Sequence, residues 1–204
     1  MQPAASLLAL LLLCGLVSAQ QESAPIFGTT VVGSSGLRGL VYHIHHTHHL
    51  PDFKKLKPHG AIYTSSLNIP PQDFKQGFPG VTKRTEWFAI DYTGRFWVER
   101  PGSYTFSLLS DDGSRLYIDD QPVIDNDGVH PPLEKRAEVN LSGGVHSIRV
   151  SYFQGPRLQV ALQLKIGTAG QAFRIFSTDE FRPPPNPEQW RFPHPEQNQL
   201  PAHL

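Results

Sequence analysis

Residues 110–120 read SDDGSRLYIDD, which sets Asp111 beside Asp112, follows them with a glycine, and brings a second pair at Asp119 and Asp120. Adjacent carboxylates are hard, anionic oxygen donors, the kind that calcium gathers in flexible geometry. In a regular strand, however, neighbouring side chains point to opposite faces, so Asp111 and Asp112 grip one ion only where the backbone leaves the pleat. The same residues also have a purely structural reading: aspartate before glycine is a favoured turn pair, and Asp side chains cap the amides of their own loop. The residues alone leave both open. Asp119-Asp120-Gln121-Pro122 reads as a hairpin turn.

A second constellation is Tyr42-His43-Ile44-His45-His46-Thr47-His48-His49. In extended form His43, His45 and His49 share one face and His46 and His48 the other. That sets imidazoles about 7 Å apart, a spacing that needs a bend or a third ligand before zinc, copper or nickel is chelated. No HExxH pattern supports such a site, and a His-rich loop equally reads as a polar, proton-sensitive surface. Catalytic signatures are missing as well: there is no GxSxG elbow, no phosphate-cradling GxxxxGK, and no carboxylate spacing that singles out an acid/base pair. With 18 Lys and Arg against 18 Asp and Glu, the chain offers no basic field for nucleic acid.

These candidate groups must be positioned by strands. The chain's 204 residues, 39% of them hydrophobic, suffice for one core, and 19 prolines with 17 glycines imply many turns. Through residues 85–166 the apolar period is two. Trp87 to Tyr92 is closed by Thr93-Gly94, and Arg95 to Glu99 by Pro101-Gly102. Tyr104, Phe106 and Leu108 alternate with polar residues, as do Leu116 with Ile118, Val139 with Leu141, Ile148 with Val150, and Leu158 with Val160 and Leu162. All of these are expected to face inward, with Ser142-Gly143-Gly144 as a tight hairpin. The pattern predicts an all-β antiparallel sandwich, with Trp87, Phe88 and Trp97 in its core. Residues 37–81, rich in His, Lys and Pro, read as irregular.

The ends read differently. Residues 1–19 hold an apolar run and finish in Val17-Ser18-Ala19, which predicts an export signal cleaved near Ala19. Cys14 follows a leucine run much as in a lipoprotein site, although Leu13 is bulky for one. Cleavage would leave no cysteine, and no later segment has the length of a membrane span. The mature chain is therefore expected to be secreted or periplasmic. Residues 20–35 read as a flexible lead, 36–182 as the sandwich, and 183–204, with seven prolines, as a disordered tail.

The central run FAIDYTGRFWVERPGSYTFSLLSDDGSRLYIDDQPVIDNDGVH closely resembles the PA14 domain, the β-sandwich module of bacterial toxins, glycosidases and fungal adhesins. The Gly102-x-Tyr104-Thr105-Phe106 strand, the SDDGSRLYID segment, Val123-Ile124-Asp125-Asn126 with His130, and the later GGVHSIRVSYFQG carry the likeness. It implies a site in which a cis peptide between the two aspartates lets both coordinate calcium, whose remaining positions go to loop oxygens and sugar hydroxyls. The partner loop falls at Gln154-Gly155-Pro156-Arg157, which makes Gln154 and Arg157 the implied sugar contacts beside Asp111 and Asp112. The asparagine that often completes the site is missing there, and Asp127 stands where an aromatic is common.

Two functions follow as expectations. One is a non-catalytic carbohydrate-binding module that engages a glycan or cell-surface polysaccharide through calcium. The other is a structural or adhesive module that presents the same sandwich to a protein partner.

Overall fold

The computed structural model describes residues 36–73, 78 and 84–183; the leader and tail expected from the sequence lie outside them. Two antiparallel sheets face each other. The larger has strand order β2-β1-β4-β9-β6-β7, formed by Gly60–Thr64, Leu37–His43, Phe88–Val98, Gly144–Gln154, Ser114–Ile118 and Gln121–Asn126. The smaller runs β11-β10-β5-β8, from Arg174–Ile175, Gln159–Thr168, Gly102–Asp111 and Leu133–Leu141, with β3 (Asn68–Asp73) also on β10. Between them lies a core in which Phe88, Phe106, Leu108, Leu116, Val150, Tyr152, Leu162 and Phe176 are fully buried. Burying each such side chain stabilises by about 1.5–3 kcal/mol.

The period-two alternation places Tyr104, Phe106, Leu116, Ile118, Leu141, Ile148, Val150, Val160 and Leu162 inside as expected, with Val139 partly buried. Leu158 is the exception. It is 81% exposed, because it precedes β10, in the link from β9, and so never enters the pleat whose phase it shares. Trp97 and Phe88 are buried, whereas Trp87 is only half-buried.

Two local signals were overridden. Thr93-Gly94 is not a turn: β4 runs unbroken and pairs with β9 from Phe88↔Gln154 to Val98↔Gly144. Gly94 serves close approach instead, since a Cβ there would lie 2.7 Å from the Gly36 carbonyl oxygen. Nor is Ser142-Gly143-Gly144 a hairpin, because β8 pairs with β5 and β9 with β4 and β6, so this link carries the chain from one sheet to the other. The stretch read as irregular contains β1, β2 and β3 together with a 3-10 turn at Phe53–Lys55. By contrast, Asp119 and Asp120, at φ 49 and 62, form the expected hairpin between β6 and β7.

The crossings decide where a site can form. Three of them, β5 to β6, β7 to β8 and β9 to β10, fall at one pole. The described chain begins and ends toward the other, where the Phe181 carbonyl accepts the Trp97 amide at 2.8 Å.

Candidate functional site

Asp111 ends β5 and Asp112 begins the first crossing, with a cis peptide between them. Both are buried, at 6% and 3% exposure, yet both open onto one cleft of about 390 Å³. The second crossing contributes Val129, His130 and Pro131 to its walls, and the third contributes Pro156 and Leu158, with Gln159 at the start of β10. Each wall is thus a link between the sheets.

Asp112 is held by amides from two crossings. Its Oδ2 accepts from Gly155 N at 2.7 Å and Gln154 Nε2 at 3.3 Å, and its Oδ1 accepts from His130 N at 3.2 Å. The Gln154 amide is fixed in turn: Nε2 also donates to the Pro156 and Gln159 carbonyls, at 3.3 and 3.1 Å, while Oε1 lies 2.5 Å from the Tyr152 hydroxyl. Tyr152 reaches the Asp111 carbonyl as well, at 2.7 Å. The His130 ring nitrogens face the Pro131 and Asn126 carbonyls, both at 2.9 Å.

Burial, and then the charge of Asp112, push the Asp111 carboxyl up to about 7, against the opposing pull of His130 and Gln154. Burial also raises Asp112, against the amides of Gly155 and His130 that favour its charged form. Two carboxylates held close and desolvated form a hard oxygen set whose charge a divalent cation would balance, so this donor set fits calcium.

The structure brings Asp111 and Asp112 together but separates the other two residues expected to touch sugar. Gln154 is fully buried behind Asp112, with its amide committed to protein partners, so it orients Asp112 rather than facing the cleft. Arg157 is exposed and its amide donates to Glu86 at 3.4 Å; its side chain does not line the cleft, because the flanking Pro156 and Leu158 do. Sequence reasoning placed His130 in the motif but not at the site, and it missed Val129 and Leu158. Leu158 shares the phase of Val160 and Leu162, which is why the pattern assigned it to the core.

The histidine run is not extended beyond His43. His43 stacks on His59 with ring centroids 3.7 Å apart, His46 packs on Trp87 at 4.5 Å, and His49 lies 3.5 Å from Asp127. His46 also meets His48 edge-on, with ring centroids 5.0 Å apart, while His43 and His49 turn to partners outside the run. Among the described residues, no three His, Cys, Asp or Glu side chains gather to hold a metal.

Comparison with known proteins gives the fold a lineage. A family model for the PA14 domain matches residues 62–171. Among solved structures, a PA14 sugar-binding domain from an RTX adhesin aligns with TM-score 0.57 and 19% identity, over 72% of this chain and 97% of that one. The epithelial adhesin 9 A domain from Candida glabrata, solved in complex with Galb1-3GlcNAc, aligns with TM-score 0.54 and 15% identity, over 72% and 88%. An anti-sigma factor domain-containing protein aligns with TM-score 0.59 and 23% identity; the alignment spans 75% of this chain but only half of that one. These likenesses are of fold. No curated protein sequence matches the chain.

Proposed function

Because the chain belongs to the PA14 domain family, we propose that it is a non-catalytic carbohydrate-binding module whose sugar is held through calcium at Asp111 and Asp112. The observation that carries this reading is the convergence of two buried carboxylates on one cleft walled by three inter-sheet links. The sugar-binding RTX adhesin domain and the adhesin solved with Galb1-3GlcNAc, which share the fold, support it. Calcium bound there would offer coordination positions to a vicinal diol. The protein's part is to hold Asp112 on the amides of Gly155 and His130, lock Gln154 behind it, and shield the pair from water. The reading places the protein outside the cell, facing a glycan or surface polysaccharide. That location rests on the export signal expected over residues 1–19; among the described residues no helix is long and apolar enough to cross a membrane.

The amides on Asp112 also favour a second reading, in which the pair only shapes the crossing and the sandwich serves a protein partner. Titration with calcium, followed by heat and by thermal midpoint, separates the two. The calcium reading expects binding heat and a raised midpoint in the wild type, both lost in Asp112→Asn, and then calcium-dependent signals on a glycan array. Neither heat nor a rise at millimolar calcium would leave the structural reading.

A further inference from the structure

The cleft carries a feature that calcium does not explain. Leu158, at 81% exposure, and Val129, at 42%, are among the few large apolar side chains of the described residues that the fold leaves in water, and both border the two aspartates. They come from different crossings, the third and the second, and Pro156 and Pro131 continue the apolar surface beside each. Isolated exposed leucines are ordinary, but apolar residues converging from two loops around a buried polar pair form the usual composition of a small-molecule site, and about 390 Å³ suits one.

Charge narrows the ligand. Among the described residues no Lys or Arg lines the cleft, and the His130 ring nitrogens are taken by the Asn126 and Pro131 carbonyls, so the described lining offers no cationic side chain to a sugar acid. A hexopyranose that turned its exocyclic CH2OH to Leu158 and Val129 would set a hydroxyl against them and lose its hydration. A methyl group in the same place would gain from burial.

Building on the calcium reading, we propose that the cleft selects a neutral sugar bearing one methyl group, which packs on Leu158 and Val129 while a vicinal diol faces the aspartates. A 6-deoxyhexose and an N-acetylhexosamine both carry that chemistry.

The test is calorimetry on the full chain in saturating calcium with matched pairs: L-fucose against L-galactose, L-rhamnose against L-mannose, and N-acetyl-D-glucosamine against D-glucose. At least one methyl-bearing member should bind about three- to tenfold more tightly than its partner. The first two pairs report a deoxy methyl and the third an acetyl methyl. Leu158→Ser and Val129→Ser should bring that ratio close to one while keeping the calcium-induced rise in thermal midpoint, since neither native side chain carries an oxygen ligand. A calcium response with no preference in any pair, absent binding included, overturns the methyl assignment and leaves the calcium reading standing, as does a preference that survives both substitutions. Loss of the calcium response in the wild type overturns the calcium reading itself, and the methyl assignment with it.

Discussion

The Gly155 amide donates to Asp112 Oδ2 at 2.7 Å, and a Cβ built on Gly155 would lie 3.0 Å from that same oxygen. The third crossing thus approaches the first as closely as a residue without a side chain allows. Gly155→Ala must therefore move either the amide or the carboxylate. We expect a loss of about 1–2 kcal/mol in denaturant unfolding, from one strained charge-assisted hydrogen bond, and weaker calcium binding. Unchanged calcium affinity would show that this contact does not set the geometry of the pair.

Asp112→Asn removes one negative charge and turns an NH2 group toward a donor, either His130 N or the amides of Gly155 and Gln154. The variant should fold, at a cost of about 1–3 kcal/mol for the unmatched amide. Wild-type stability should rise by about 2.7 kcal/mol at calcium a hundredfold above its dissociation constant, and the variant should gain nothing measurable. An equal rise in both would place calcium elsewhere.

Without calcium, stability should depend on pH through Asp111. This carboxyl titrates near about 7 in the folded protein and about 4 in an unfolded chain. Between those values the folded state holds the extra proton. The contribution of Asp111 is therefore most favourable below about 4, declines as pH rises through the window, and levels off above about 7. Asp111→Asn should flatten that decline when thermal midpoints are followed from acid to neutral pH. A decline of the same size in the variant would assign the proton to another group.

Leu162 and Leu158 share a sequence phase but not an environment, being fully buried and 81% exposed. Leu162→Ala should cost about 2–5 kcal/mol, and Leu158→Ala should stay within about 0.5 kcal/mol. Chemical denaturation of the two variants checks both values, and a large loss at Leu158 would mean that the link packs inward.

The contrast between those leucines shows what was legible in the sequence. Alternation in β5, β9 and β10 is a local property of the pleat, so the sandwich and most inward residues could be read directly, and the Asp111-Asp112-Gly113 run marked the edge of the cleft. Where a strand begins, and whether a glycine turns the chain, depends on partners distant in sequence. Gly94 reads as a turn until β1 is laid against it, and Gly143-Gly144 reads as a hairpin until β8 and β9 are assigned to different sheets. Gln154 reads as a free polar contact until Asp112, Pro156 and Gln159 surround its amide. His130 and Val129 reach the cleft only because β7 and β8 also lie in separate sheets.

That strand layout has a mechanical consequence. β1 enters and Phe181 leaves toward the pole opposite the aspartates, so the ends of the described chain and the cleft lie at opposite poles of the sandwich. Tension between a captured ligand and the rest of the polypeptide would run parallel to the strands. The ladder from Phe88↔Gln154 to Val98↔Gly144 would then be loaded in shear, all its rungs together, rather than peeled open one rung at a time.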